Sequence, residues 1–126
     1  FLAQVTSPLV KVSSMQAALD TFLTSGSHDS INSVSAEKKF LWKGTKPINY
    51  DINTTPKSQD LPDIVSLNFA ITVIAKRTMI TRKNVVGNQP SFFELDKVEA
   101  LDIDDWTDFK IAELLYRELG AKWLLN

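Results

Sequence analysis

From Ile64 to Ala75 the chain reads Ile-Val-Ser-Leu-Asn-Phe-Ala-Ile-Thr-Val-Ile-Ala, β-branched and largely apolar, with Asn68 as the one strongly polar interruption. The run predicts a central strand. A strand of this kind needs partners beside it and helices packed over it, which points to an α/β sheet.

The rest of the chain supplies those partners. Phe1–Val5 reads as a strand entered part-way, and Thr6-Ser7-Pro8 stops it because proline has no ladder donor and Thr and Ser favour turns. It carries no basic n-region or small-residue cleavage site and does not read as a signal peptide. Met15, Ala18, Leu19, Phe22 and Leu23 recur at helical spacing, which predicts a helix over 13–25 with Gly26 just beyond its end. Ser30–Ser35 has weak strand patterning, so a strand–helix–strand unit follows. Residues 43–63 hold Gly44, Pro47, Pro56 and Pro62 and read as irregular; a loop of that length is usually functional or an excursion to a partner. Beyond the central strand the pattern predicts a short helix over 76–83, a turn at Gly87-Asn88, a strand over 91–95 and a last strand ending near Asp104. Thr107 is the expected N-cap of a final helix. Phe109, Ile111, Ala112, Leu114, Leu115 and Leu119 would be its buried side, Gly120 would lie past its end, and Glu113 and Arg117 would form an exposed i, i+4 pair. Trp123-Leu124-Leu125 is either core or an oligomer contact, with core the default.

The chain has 126 residues, 44% of them hydrophobic, a length that suits one ordinary domain. Fourteen Lys+Arg stand against 15 Asp+Glu, and this near-neutral balance argues against nucleic acid or an anionic membrane as a general partner, a local patch aside. Without cysteine there is no disulfide and no thiolate site, and the single His28, in a polar turn beside Asp29, is set aside as a catalytic base. Any metal must be held by oxygen. No apolar stretch approaches the roughly 18 residues of a membrane span.

Three places could carry chemistry. In Leu101-Asp102-Ile103-Asp104-Asp105, residues two apart on a strand share a face, so Asp102 and Asp104 would present two carboxylates together. Either they hold a hard cation such as Mg²⁺ or they solvate a strand end, while Asp105 and Asp108 favour the start of the next helix through its dipole. The junction Gln4-Val5-Thr6-Ser7-Pro8 lies at the C-terminal end of what reads as a parallel strand, where open α/β sheets bind ligands; Gln4, Thr6 and Ser7 are either ligand contacts or a satisfied turn. Asn68 is either a paired buried amide or a pocket ligand, and of Phe92 and Phe93 one should face the core. The glycines Gly26, Gly44, Gly87 and Gly120 are widely separated, so no glycine-rich loop wraps phosphates.

Taken in order, Gln4-Val5-Thr6-Ser7-Pro8-Leu9, Pro47-Ile48-Asn49-Tyr50-Asp51, Ser58-Gln59-Asp60-Leu61-Pro62, Asn68, and Leu101-Asp102-Ile103-Asp104 before Asp108-Phe109 and Ala112-Glu113 resemble the acylneuraminate cytidylyltransferases, the CMP-sialic acid synthetases. The resemblance implies a nucleotide-diphosphosugar transferase-like, Rossmann-like three-layer α/β fold. It also implies a cytoplasmic, dimeric, Mg²⁺-dependent transferase that joins CTP to a sialic-type 2-keto sugar acid and releases pyrophosphate. On that basis Asp102 and Asp104 match the metal-binding aspartates, Gln4 matches a sugar-contacting glutamine, and Thr6, Ser7, Gln59, Asn68 and Phe93 fall in segments lining the same pocket. Residues 36–62 would be the dimerisation excursion. Val5, Ser58 and Phe69 stand where many relatives have proline, arginine and glycine, which points to a changed sugar acid, legionaminic or deoxyoctulosonic acid among them. Only the C-terminal part of the family's domain is matched; its N-terminal half, with the phosphate loop, has no counterpart here. A missing partner segment or self-association is therefore expected, and the isolated chain is expected to turn over poorly or to act as a non-catalytic dimerisation scaffold.

Overall fold

The computed structural model describes all 126 residues, Phe1 to Asn126. Its elements are β1 (Leu2–Ala3), α1 (Val12–Thr24), β2 (Ser30–Glu37), β3 (Trp42–Lys43), β4 (Lys46–Pro47), β5 (Ile64–Ile74), α2 (Lys76–Arg82), β6 (Pro90–Glu94), α3 (Trp106–Leu119) and α4 (Ala121–Leu125). Four strands form a mixed sheet in the order β1-β5-β2-β6, with β5 and β2 in the middle. This α/β arrangement is compatible with a Rossmann-like fold. No helix is long and apolar enough to cross a membrane.

Strand directions correct one expectation. β1 pairs antiparallel with β5, Leu2 opposite Thr72 and Ala3 opposite Ile71, rather than parallel to its neighbour. Ser66 donates to Glu37, Asn68 to Ser35 and Asn32 to Thr72, so β2 and β5 also run antiparallel, whereas β2 and β6 are parallel. β1 therefore runs in the direction of β2 and β6, and Gln4 still follows the C-terminal end of a strand.

Pairing also sorts the two sheet faces. Ile31, Ile71, Val73 and the ring of Phe93 meet Val10, Ala18, Leu95, Met15, Leu19 and Phe22, so α1 covers one face through its predicted apolar stripe. Leu2, Thr72, Asn32 and Phe92 share the opposite face, where Phe92 is half exposed. α1 ends at Ser25, whose N–H bonds the Thr21 carbonyl, and Gly26 has no left-handed role.

Between Asn68 and Thr72, β5 advances one residue more than β2 does between Ser35 and Asn32, which is a β-bulge. Phe69 is the left-handed residue at that point, with φ 57°. The bulge takes backbone donors out of the ladder, and side chains receive them: the Ala70 N–H bonds Asn68 Oδ1 and the Ile71 N–H bonds Ser33 Oγ.

The final strand expected near Asp104 does not form. Residues 101–104 make one cross-chain backbone bond, from the Ile103 N–H to the Thr6 carbonyl at 2.9 Å, because the following residues are drawn into a helix start. That start uses Asp105, not Thr107, as N-cap: Asp105 Oδ1 accepts from the Thr107 and Asp108 N–H groups, and Asp108 Oδ2 accepts from those of Asp104 and Asp105. Asp105 and Asp108 thus do the helix-starting work expected of them. Past the cap, α3 buries only Ala112, with Leu115 and Leu119 half buried, and Phe109, Ile111 and Leu114 are exposed rather than core. Gly120, with φ 71°, ends it, and Arg117 meets Glu113 at 2.8 Å as expected.

The chain divides into two units, residues 1–35 with 67–126, and residues 36–66. The second is less irregular than its proline content suggests. β3 and β4 form a hairpin turned at Gly44, Asn49 accepts from the Leu41 N–H and donates to the Lys39 carbonyl, and Tyr50 packs edge-on to Phe40 and Trp42.

Candidate functional site

Two segments nearly a hundred residues apart in sequence meet just after β1. Thr6 offers its carbonyl to the Ile103 N–H, and the buried Ser7 hydroxyl donates to Asp102 Oδ1 at 3.4 Å across a separation of 95 residues. The Ser7 N–H closes the turn on the Gln4 carbonyl at 3.2 Å, which lets the chain reverse away from β5 after Gln4 donates its own N–H to the Ala70 carbonyl. Asp102 is half buried, whereas Asp104 is exposed.

Gln4 also borders a cavity of about 240 Å³ on the sheet face away from α1, lined by Leu2, Gln4, Phe69, Thr72 and Val85. The cavity is mainly apolar with an amide at its edge, a common composition for a small-molecule pocket, although its volume is below the usual range. Its floor is fixed from beneath. The Asn32 amide, fully buried, donates to Thr72 Oγ1 and the Val85 carbonyl and accepts from Ser30 Oγ.

The remaining expected residues are dispersed. Asn68 is a paired amide: it accepts from Ser33 Oγ at 2.5 Å and from the Ala70 N–H, and donates to Ser35 Oγ, so its bonds hold the bulge. Phe93 is the member of the phenylalanine pair that faces the core, on the side of the sheet opposite the cavity. Gln59 lies exposed in a short 3₁₀ turn, Ser58–Asp60, within the 36–66 unit.

No group of three or more His, Asp or Glu side chains converges as a closed metal cage. Without a strand over 101–104 the expected shared face of Asp102 and Asp104 is not formed: Asp102 meets the Ser7 hydroxyl, while Asp104 lies exposed two residues on, and all three groups are hard oxygens. Such a set fits Mg²⁺, which keeps several waters and takes one or two carboxylates together with substrate phosphates.

Sequence reasoning missed a third component beside this junction. Glu99, only 4% exposed, accepts from the Lys11 backbone N–H at 2.9 Å and from Lys11 Nζ at 3.4 Å. Lys11 Nζ also meets Asp96 Oδ2 at 3.0 Å and lies 3.8 Å from the ring centre of Trp123, whose indole N–H donates to the Leu9 carbonyl. Burial pulls the Lys11 pKa down, yet the hydrogen bonds and charges of Asp96 and Glu99 outweigh it and the value is raised. At Asp96 burial pushes upward, and the Glu99 N–H, Lys11 and the Val98 N–H together carry its pKa below the ordinary value. No local pattern marks these residues, since the contacts span separations of 85 to 114 residues.

No family model matches the chain. Among curated proteins it is similar to N-acylneuraminate cytidylyltransferase A of Danio rerio, 26% identical over 118 aligned residues that cover 87% of this chain and 27% of that protein. The chain therefore spans little more than a quarter of the length of the curated relative it matches.

Proposed function

We propose that the chain is part of a nucleotidyltransferase that transfers CMP from CTP to a sialic-type 2-keto sugar acid and releases pyrophosphate, on a nucleotide-diphosphosugar transferase-like three-layer fold. The observation that carries this reading is the meeting of Thr6-Ser7 with Asp102-Ile103, because these two segments also carry the resemblance. Asp102 and Asp104 would hold Mg²⁺. The ion supplies Lewis-acid neutralisation of charge at the phosphoryl group. The Ser7 hydroxyl meets the Asp102 carboxylate through one long bond of 3.4 Å. Gln4, at the edge of the cavity, offers one amide donor and one acceptor to the sugar acid, and Leu2, Phe69 and Val85 exclude water from one side of it. We assign residues 36–62, which fall within the 36–66 unit, to dimerisation; in a second reading the chain is a non-catalytic dimerisation module.

A titration of ¹⁵N-labelled protein with MnCl₂ and then N-acetylneuraminic acid tests both. Under the transferase reading Mn²⁺ broadens the amides of Ser7 and Asp102–Asp104 first, Asp102→Asn weakens that effect by about tenfold or more, and the sugar acid shifts Gln4. Broadening spread evenly over exposed carboxylates, unchanged in Asp102→Asn, would leave the module reading. Replacing N-acetylneuraminic acid with legionaminic or deoxyoctulosonic acid identifies the preferred acid.

A further inference from the structure

The turn that bears Thr6 and Ser7 and the segment that bears Asp102 run side by side, and three rungs join them. Two are at the candidate site: Thr6 carbonyl to Ile103 N–H, and Ser7 Oγ to Asp102 Oδ1. The second of these is long, at 3.4 Å, and its carboxylate is only half buried, so it fixes Asp102 weakly. The third is the pair of Lys11 and Glu99, one short step beyond Ser7 on one side and before Asp102 on the other. Glu99 binds Lys11 twice, through the backbone N–H and through Nζ, while Asp96 and the face of Trp123 hold the same ammonium. Asp96 in turn accepts the N–H groups of Val98 and Glu99 on its Oδ1, which sets the turn from which Glu99 projects.

A partly buried ion pair such as this one, with Glu99 buried and Lys11 and Asp96 partly exposed, adds little stability by itself. What it provides is direction. We infer that Lys11, Glu99 and Asp96 form a positioning clasp that holds the Thr6-Ser7 turn in register with Asp102-Ile103 and so aims the Asp102 carboxylate. The three are positioning residues and touch no reacting atom. The metal part of this inference rests on the function proposed above, whereas the register part does not.

Three variants separate positioning from stability. Glu99→Gln keeps the side-chain shape and one carbonyl acceptor but removes the charge. Lys11→Arg keeps the charge, and the double change Lys11→Met with Glu99→Met restores an uncharged, packed pair without direction. Two quantities are read by NMR: exchange of the Ile103 amide relative to that of Ile71, which reports opening of the central sheet, and the Mn²⁺ concentration that broadens Asp102. In Glu99→Gln and in the double variant, Ile103 should exchange at least about tenfold faster relative to Ile71. Mn²⁺ affinity should fall about 10- to 100-fold. Lys11→Arg should stay close to the parent in both. Exchange at Ile103 that changes only in step with Ile71, in variants that melt like the parent or below it, would overturn the clasp. If Glu99→Gln loosens Ile103 while the parent shows no Mn²⁺ effect at Asp102, the metal reading falls and the clasp stands.

Discussion

Phe69 shows how much one residue's backbone can say. Its φ of 57° is the left-handed region, where a side chain costs about 1 to 2 kcal/mol that glycine does not. This is the position where the resembled family often has glycine, and the bulge supplies the physical reason. Phe69, 38% exposed as a residue, lines the cavity, so the contacts of its ring offset part of the cost. Comparing two substitutions isolates the backbone component, since both remove the ring. Phe69→Gly should be more stable than Phe69→Ala by about 1 kcal/mol, read from urea denaturation midpoints. Equal midpoints would mean that the bulge relaxes without the left-handed turn. The site itself was legible to different depths at this scale. Ser7 and Asp102 are marked in the sequence by a turn signal and by an Asp-x-Asp pattern, and the fold joins them. Asn68 could be read either way, and its three partners on β2 and β5, which pair its amide, are invisible in the sequence. Lys11 and Glu99 gave no signal, because a lysine before a helix and a glutamate in a charged turn look like solvated surface until their partners are known.

Elements were legible where periodicity alone defines them and less so where a distant partner does. The stripe of α1 and the apolar run of β5 gave their positions within a residue or two, because a helix or a buried strand imprints its own spacing. The antiparallel pairing of β1 with β5 was not legible, since Phe1–Val5 contains nothing about which strand it will meet. The expected strand over 101–104 failed for a related reason: alternating Asp and Ile satisfies strand patterning, but a single backbone bond to Thr6 is all the partner it finds. At the start of α3, Asp105 and Asp108 exchange bonds in a capping box, and Thr107 donates its N–H to Asp105 while its hydroxyl caps nothing. Asp105→Ala should therefore cost about 1 kcal/mol, whereas Thr107→Ala should stay within about 0.5 kcal/mol of the parent. Thermal or urea unfolding of the two variants checks this; a larger loss in Thr107→Ala would move the cap back to the threonine.

At the scale of the molecule, the two units differ in what holds them. The 1–35 and 67–126 unit has a continuous apolar core of Val10, Ala18, Ile31, Ala70, Ile71, Val73 and Leu95. The 36–66 unit buries only Leu61 and Asn49; beside them lie the packed rings of Phe40, Trp42 and Tyr50 and the contacts of Lys38 with Asp63 at 2.6 Å, Lys39 with Glu37 at 2.9 Å, and Ser66 with Glu37. So small an apolar core gives a low free energy of local opening. The hydrogen bond from Lys38 depresses the Asp63 pKa, and those from Lys39 and Ser66 depress that of Glu37. A carboxyl group whose pKa is lower folded than unfolded adds stability that is complete above its unfolded value and is lost as pH falls through the folded one. Asp29 and Asp96 follow the same rule in the larger unit, but there the apolar core remains when they are protonated. Acidification below about pH 4 should therefore open residues 36–66 first. Amide exchange at Trp42 and Lys46, corrected for the intrinsic pH dependence, should lose protection while Ile71 keeps it, and proteolysis with an acid-active protease should cut first inside 36–66. Simultaneous loss at Trp42, Lys46 and Ile71 would show instead that the two units open as one, and that the apolar core depends on the small unit's ion pairs.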